Sequence, residues 1–498
     1  MSDKTSQQRL LYRPAQAFRS SGAFGLTMFS TMLGLGFVLL CVIGFMSPLP
    51  PLVKFLGIPF SLAILFLPLV LSIGGRSVWE VGIGKAAVAA EMRRGYSMYR
   101  SGPFSAVPVG TPPPGLLATS RTFDFHPGDG SAPFALIELT ARNFYTLVLR
   151  SWPQGGEWNV QSTRDRWVAR LGDMLTFLGQ SPDLVAVTIT VETLPESGQR
   201  ASTLMRSRLD PKAPAIARQV IIESVESIPS AEVKLEARIA ITWAADTAFR
   251  KRSATEMGDE VSRRIRRILD YAHSAGVRVR PMLERELCAV ARRSFSPSDE
   301  LDLETGLMTG EPMRLRWEDC GPASSSDQHG FYLHDAARSL NWTMVGEPEA
   351  PFDSNVLTDL LNTRAEIPRK RVTFVYQPYT PSEATRTVNK DHNDARNAIR
   401  THVGKLDERS LVRMENSEAA RQEQARGAGL TRVSMIVTAT LPVDGDTRKV
   451  QTLVTDLGLA AATRLKPAYD QQLAVFEAGL GLGIILAEES SVSDKLAA

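Results

Sequence analysis

The sequence predicts an α+β protein: an N-terminal transmembrane helical hairpin followed by a cytoplasmic region of two similar mixed-sheet α/β sandwich units. Three observations lead to this prediction. Two long uncharged apolar stretches lie near the N-terminus, strand and helix patterns alternate along the rest of the chain, and the order of those patterns occurs twice. The chain has 498 residues and is 43% hydrophobic, so it is long enough for several domains with apolar cores.

The overall composition excludes several classes of protein. The chain has 57 Lys and Arg against 54 Asp and Glu, a formal net charge of +3, so no global field marks a nucleic-acid binder. Cys41, Cys288 and Cys320 have no CxxC or His-rich spacing, which argues against a disulfide scaffold and against a cysteine-ligated zinc site. We therefore expect the aqueous part to lie in a reducing compartment, with Cys288 in a core.

A basic cytoplasmic tail, 1–22, precedes a predicted transmembrane hairpin over 23–75. Its two spans, 23–45 and 55–75, contain no charged residue. A helix needs about 20 residues to cross a hydrocarbon layer of about 30 Å, so each stretch is long enough. The prolines of Met46–Lys54 predict a tight connection between them.

The orientation of the hairpin follows from its flanking positive charges. Lys and Arg residues are frequent in 1–22 and again after 75, whereas the connection holds only Lys54. Positive flanks stay on the cytoplasmic side, so the sequence predicts a plasma (inner) membrane protein with two spans and both termini in the cytoplasm. Small residues such as Gly34 and Gly36 allow close helix packing, which leaves homo-oligomerisation open.

The cytoplasmic part is predicted to contain an internal duplication. Each copy has the order β-α-β-α-β-α-β plus one further helix, and the last strands end at Pro281 and Pro467. The predicted strands of the first copy are Tyr145–Trp152, Leu184–Leu194, Leu235–Trp243 and Val277–Arg280; those of the second are Leu340–Val345, Arg371–Tyr376, Thr431–Leu441 and Thr463–Lys466. The resulting divisions are a helix and Pro-rich linker (76–133), the first unit (134–293), a linker (294–330), the second unit (331–486) and a polar tail (487–498). Helices are expected on one face of each sheet.

Motifs for catalysis are missing from the sequence. The phosphate loop G-x-x-x-x-G-K-[ST] does not occur, and the alternating Gly479, Gly481 and Gly483 precede no helix that would bind phosphate. The six histidines lack zinc spacing. We therefore assign no catalytic, cofactor or metal residue. A membrane-tethered enzyme that uses His334 and Asp335, or a carboxylate pair without a motif, is left open as an alternative.

Two basic clusters are candidates for a partner interface. The predicted helix Thr255–Ser274 has one apolar face and one basic face, and the second cluster enters a strand. The candidate residues are Arg263, Arg264, Arg266, Arg267, Arg369, Lys370 and Arg371. A solvated face is the plainer interpretation, while an acidic partner or the anionic inner leaflet is the functional one. Direct nucleic-acid binding is not expected, because no aromatic residues are interleaved with the cations.

Short segments along most of the chain carry a family resemblance. They are Tyr99-Arg100-Ser101-Gly102-Pro103, Pro114-Gly115-Leu116-Leu117-Ala118, Asp165-Arg166-Trp167-Val168-Ala169, Thr190-Val191-Glu192-Thr193, Asp210-Pro211-Lys212-Ala213-Pro214, Arg280-Pro281-Met282, Arg369-Lys370-Arg371-Val372-Thr373 and Gly427-Ala428-Gly429-Leu430. In this order, after two apolar spans, they resemble the actinobacterial membrane proteins encoded in conjugative elements beside type IV secretion ATPases. The resemblance implies a component of a conjugation or secretion apparatus whose soluble part is similar to the non-motor N-terminal region of conjugation ATPases. It supplies no active site.

The C-terminal helix adds one more candidate interface residue, Phe476. In the relatives this helix continues as Phe, a few small residues and Leu-Pro-x-Gly, whereas here Leu480 is followed by Gly481. The resemblance thus makes the segment a candidate for docking a motor, with an altered turn.

The sequence therefore predicts a non-catalytic integral membrane structural component of a conjugative transfer or secretion apparatus. Its cytoplasmic platform would dock a conjugation-type ATPase or membrane-embedded channel subunits, and anionic lipid is left open as a further partner. A membrane subunit of a type VII secretion complex is the alternative. No cofactor is expected.

Overall fold

The computed structural model describes residues 98–489 except 106, 129, 154–158, 196–209, 211, 227–232, 247–250, 310–314, 346–354, 402–407 and 426–428, together with isolated residues between 35 and 77. The chain forms two compact units, one from 1–16 and 98–485 and the other from 17–97 and 486–498.

The smaller unit includes the predicted hairpin, most of which lies outside the described residues. Leu35, Gly36, Leu39, Val42 and Ile43 are helical. Ser72–Ile73 (β1) pairs with Arg76–Ser77 (β2) in a two-stranded antiparallel ribbon. Among the residues described, none of the helices combines the length and the apolar character that crossing a bilayer requires.

The larger unit is built on one 13-stranded sheet. Its strands are β3 (Met98–Arg100), β4 (Ser120–Phe125), β5 (Phe134–Leu139), β6 (Phe144–Pro153), β7 (Leu184–Pro195), β8 (Val233–Ala244), β9 (Val277–Pro281), β10 (Ser324–Asp327), β11 (Tyr332–His334), β12 (Ala337–Met344), β13 (Arg369–Pro378), β14 (Thr431–Pro442) and β15 (Leu465–Pro467). The order across the sheet is β3-β10-β11-β12-β14-β13-β7-β8-β6-β5-β4, with β15 beside β12 and β9 beside β6.

The α+β class is confirmed, but the sheet is antiparallel rather than mixed in every described strand pair. The strand order β9-β6-β8-β7 recurs as β15-β12-β14-β13. Each is the split β-α-β arrangement, in which a helix connects two strands that run the same way with an antiparallel strand between them. Helical connections therefore do not require parallel neighbours. The two arrangements meet where β7 pairs with β13.

Ten α-helices are described in the larger unit. They are α1 (Gln161–Gly179), α2 (Ala215–Glu226), α3 (Ala254–Ser274), α4 (Glu284–Phe295), α5 (Glu300–Thr309), α6 (Thr358–Leu361), α7 (Pro381–Thr401), α8 (Glu408–Ala425), α9 (Thr447–Ala460) and α10 (Gln472–Gly479). Capping side chains determine where two of these helices begin. Ser253 and Glu256 form a capping box on α3, and Asp446 caps α9 by accepting from the backbone N–H groups of Arg448 and Lys449.

One face of the sheet carries the two apolar cores. In the first core α1 and α3 pack on strands β5 to β8 around Trp243, and in the second α6 and α9 pack on β12 to β14 around Trp342. The opposite face is covered as well, by α4 and by α10 with the chain that follows it. The prediction of helices on one face was wrong. The side chains on the second face of the strands are largely polar, so the sequence did not indicate that helices also cover that face.

The two predicted linkers also contribute to the sheet. Ser120–Phe125 lies in 76–133 and pairs with β5, while Ser324–Asp327 lies in 294–330 and pairs with both β3 and β11. Strand β10 has the sequence SSSD, which lacks the hydrophobic alternation that predicts a strand.

Candidate functional site

Two of the four arginines predicted on α3 are ion-paired within the chain. Arg264 Nη1 donates to both carboxylate oxygens of Asp183, at 3.0 and 3.2 Å, and Arg263 and Arg264 both pair with Glu260. Burial alone would raise the pKa of Asp183, but hydrogen bonds from Arg264 and Arg252 hold that pKa below its usual value. Arg264 therefore ties α3 to the start of β7.

The remaining arginines of α3 face solvent. The guanidinium of Arg267 lies 5.4 Å from the ring centroid of Phe177 on α1, a cation–π contact. Arg266 is exposed and has no ion pair with any residue in the described ranges. Exposed Arg263, Arg266 and Arg267 are thus placed where a partner or anionic lipid can reach them, and their use remains a prediction.

The second predicted cluster lies at the start of β13. Arg369 is half-buried and pairs with Glu300 at 3.3 Å. Lys370 is buried, its Nζ donates to the Asn362 carbonyl at 2.5 Å, and burial lowers its pKa to about 8. Arg371 is 4% exposed. Lys370 and Arg371 have their contacts inside this chain, so we do not include them in the partner surface proposed below.

Phe476 also lies in the interior. Its ring is fully buried and lies between 5.1 and 5.3 Å, centroid to centroid, from Phe295, Tyr332 and His334. The guanidinium of Arg371 lies 5.0 Å from its centroid. Phe295 on α4 and Phe476 on α10 belong to the helices that follow each sheet unit, so this contact joins the two copies.

A buried charge cluster is centred on Glu192 of β7. Its carboxylate accepts from Arg238 at 2.8 Å, from Arg371 at 3.2 Å and from Arg293 at 3.5 Å. Burial alone would raise the pKa of Glu192, but the three guanidinium groups lower it far below its usual range. Glu192 is therefore ionised, and Coulombic attraction holds three cations around it.

The cluster joins elements that are distant in sequence. Arg371 is the register partner of Glu192 across the β7–β13 pair, Arg238 lies on β8 and Arg293 on α4. The sequence pattern predicts no role for Glu192, Arg238 or Arg293. Thr188, Thr190 and Glu192 alternate with Val187, Ile189 and Val191, so the pattern puts Glu192 on the polar side of the strand and does not indicate that this side is buried.

The acid dependence of stability is expected to follow this cluster. Burial would raise the pKa of Glu236, but Arg293, Arg150 and Lys234 lower it to about 2, against about 4.3 in an unfolded chain. Between these values the unfolded chain binds more protons, so the stabilisation is present above pH ~4.3 and is lost as the pH falls towards 2. Urea unfolding at several pH values should show this decline, and Glu236→Gln should flatten it. A free energy of unfolding that stays constant between pH 5 and 3 would contradict the assignment.

A C-terminal strap, Gln472–Ile485, crosses the polar face of the sheet. Thr373 Oγ1 donates to the carbonyl of Gly479 at 2.7 Å, and Arg238 Nε donates to that of Leu480 at 2.8 Å. At its start, the Gln472 side chain accepts from Asn341 at 2.9 Å. The strap thus bonds to strands of both sheet units.

The alternating glycines belong to this strap. A Cβ atom at any of the three glycines would lie close to a threonine hydroxyl. The distance to Oγ1 would be 3.1 Å between Gly479 and Thr438, 2.3 Å between Gly481 and Thr190, and 2.2 Å between Gly483 and Thr146. Gly481 and Gly483 also have positive φ, at 65° and 99°. The alternating glycines therefore allow the backbone of the strap to pack closely on the threonine-rich face of the sheet.

The alternative enzyme residues His334 and Asp335 are held by internal contacts. His334 is fully buried, with Nδ1 2.6 Å from the Phe295 carbonyl and Nε2 2.8 Å from Ser339 Oγ. Burial lowers its pKa to about 4, so the ring is neutral. Asp335 accepts from the Ser324 backbone N–H at 3.0 Å. Both ring nitrogens of His334 are occupied, which leaves no free nitrogen for proton transfer in this arrangement.

Another buried carboxyl, Glu477, lies where the strap meets the residues before β4. Its Oε2 accepts from the Leu116 backbone N–H at 2.8 Å, yet burial raises its pKa well above the usual range. Gly115 adopts φ of 62° and packs against this carboxyl.

In the described ranges, no group of three or more His, Cys, Asp or Glu side chains is placed to hold a metal ion.

Helix α2 differs from these interior groups because it is exposed on all sides. Every described side chain of 214–224 is exposed, including Ile216 at 79%, Val220 at 55% and Ile222 at 42%. At 100° per residue, Ile216 and Val220 share one side and Ile222 lies on another. An apolar helix of this kind is normally buried. The predicted β-α-β-α-β-α-β order includes a helix in this connection, but the sequence pattern does not predict its exposure.

The helices α2 and α7–α8 occupy equivalent connections of the two units. Helix α2 connects β7 to β8, and α7 and α8 connect β13 to β14. Because β7 and β13 are antiparallel neighbours, these connections begin at opposite ends of the sheet. Helices α7 and α8 pack on each other and bury Ala384, Val388 and Ala395.

Residues 19–80, which contain both predicted spans, match the model of a domain of unknown function, DUF8461. No curated protein matches the chain.

Proposed function

We propose that this chain is a non-catalytic membrane subunit of a transfer or secretion apparatus, of the conjugative type that its sequence resembles. The N-terminal apolar spans anchor it, and 98–489 forms a cytoplasmic platform for a motor ATPase or a channel subunit. The observation that carries the proposal is helix α2, whose apolar side chains are exposed on more than one side.

The chemistry of α2 favours a protein partner over lipid. A helix that lies on an anionic membrane surface is rich in Lys and Arg on its polar face. Helix α2 instead carries Arg218 with Glu223, a mixed pair that suits the rim of a protein interface. Ile216, Val220 and Ile222 would form the desolvated centre of that interface.

The two sheet units of the platform are joined in its interior. Glu192 and its arginines, together with the strap, connect the two sheet units through buried contacts. These contacts support the platform role, because they hold the two sheet units together.

The test is a pull-down of the tagged full-length chain, solubilised in detergent from its native host, with mass spectrometry. We expect a transport ATPase or channel subunit in the wild-type eluate and at least about tenfold less of it with Ile216→Ser, Val220→Ser and Ile222→Ser combined. The matched control combines Val443→Ser and Leu459→Ser, which are exposed by 43% and 65% on other elements, and should retain the partner.

Two results would count against the proposal. One is an eluate without any transport component, and the other is equal recovery with the α2 variant. Recovery of type VII channel components in place of a conjugation-type ATPase would select the alternative apparatus while keeping the platform role.

A further inference from the structure

A small basic cavity lies at the seam where β7 pairs with β13. Four cations, one carboxylate and two hydroxyl groups contribute to its lining: Arg293, Arg369, Lys370, Arg371, Glu192, Ser294 and Thr440. Its volume is about 10 Å³, which is close to what a single water molecule needs.

Two of the arginines that line this cavity have side-chain donors without an acceptor among the described residues. Arg371 is 4% exposed and Arg293 is 8% exposed, and each guanidinium has five N–H donors. Arg371 Nη1 donates to Glu192 and to Ser294 Oγ, but Nε and Nη2 of Arg371 and Nε of Arg293 find no partner among the described residues. Buried guanidinium groups with unmatched donors are strongly destabilising unless an acceptor is supplied.

Glu192 cannot supply that acceptor alone. Its two oxygens already accept from Arg238, Arg371 and Arg293. Burial and the neighbouring Arg238 and Arg293 lower the pKa of Arg371 to about 10 in spite of Glu192, as expected where cations outnumber anions.

We propose that this cavity binds one small inorganic anion of the size of chloride, held by Arg371 and Arg293 at the seam between the two sheet units. The small volume favours a monatomic anion over a tetrahedral oxyanion such as phosphate. The bound anion would neutralise the surplus charge and stabilise the seam, whatever partner the platform docks.

The probe is chloride, added to the purified full-length chain in exchange for gluconate at constant ionic strength. Above the dissociation constant, the unfolding temperature should rise with the logarithm of chloride concentration, by about 1–3 °C for each tenfold increase. Bromide should act similarly. A non-specific salt effect would instead be linear in concentration and independent of the cavity.

Three variants localise the effect. Thr440→Met fills the cavity without changing its charge but removes the Thr440 hydrogen bond to Ser339, and Arg371→Met removes the unmatched Nε and Nη2 groups. Both should abolish the chloride-dependent shift. Arg266→Gln, which removes an exposed arginine, should keep it. If Arg371→Met does not fold, Thr440→Met alone decides. The same chloride dependence in Thr440→Met and wild type, or a response to phosphate and sulfate but not to chloride, would overturn the proposal.

Discussion

Replacement of Glu192 by Gln is expected to lower the free energy of unfolding by about 3–5 kcal/mol, the range for removing one partner from a buried ion pair. The reason is that Glu192 is the shared carboxylate of Arg238, Arg293 and Arg371, all of which are less than a tenth exposed. Glutamine keeps the shape but removes the charge, so three guanidinium groups would remain buried around a neutral amide.

The measurement is urea unfolding of the purified full-length chain, followed by the fluorescence of the buried Trp243 and Trp342. Urea is preferable to guanidinium because it adds no ionic screening of the charges in question. The matched control is Glu366→Gln, which makes the same chemical change at an exposed position and should stay within about 0.5 kcal/mol of wild type. A Glu192→Gln effect below about 1 kcal/mol would show that the cluster is not under electrostatic constraint.

A double-mutant cycle separates charge from packing. If repulsion among uncompensated cations dominates, Arg371→Met should lower the free energy of unfolding less in the Glu192→Gln background than in the wild-type protein. The reason is that the substitution then removes one of the uncompensated cations. Equal costs in both backgrounds would instead assign the loss to packing around Phe476, which Arg371 also contacts.

Much of the fold could be predicted from local pattern. The helix predicted over Thr255–Ser274 is observed over Ala254–Ser274, because its apolar positions recur at helical spacing and Ser253 caps it. The strand predicted over Leu184–Leu194 is observed over Leu184–Pro195 for an equally local reason, a run of β-branched residues ended by proline.

The site was less predictable because its partners are far apart in sequence. Glu192 meets Arg371 across 179 residues and Arg238 meets the Leu480 carbonyl across 242. Periodicity predicts which face of a strand a residue occupies, but it does not predict which other residues pack on that face. For the same reason the family motif made Phe476 a candidate interface residue, although the structure buries it against α4.

Replacement of Gly483 by Ala is the second substitution with a large expected effect, a loss of about 2–5 kcal/mol of stability. Two independent costs contribute. Gly483 has φ of 99°, where a side chain adds about 1–2 kcal/mol of backbone strain. The new Cβ would also lie 2.2 Å from Thr146 Oγ1, and relieving such an overlap in a packed interior costs about 1–3 kcal/mol.

Thermal and urea unfolding of paired variants distinguishes these two costs. Gly172→Ala is the matched control, because it adds the same methyl group inside helix α1 with no atom within 4 Å, and it should stabilise by up to about 1 kcal/mol. Thr146→Ala combined with Gly483→Ala should recover part of the overlap cost and leave the backbone strain. It removes the clashing hydroxyl along with its hydrogen bond to Thr242, while the Cβ of residue 146 stays 3.0 Å from the new methyl group. If Gly483→Ala alone is as stable as wild type, the strap does not lie against β6 in solution. The hydrogen bonds of Gly479 and Leu480 to the sheet would then have to hold the C-terminal segment without it.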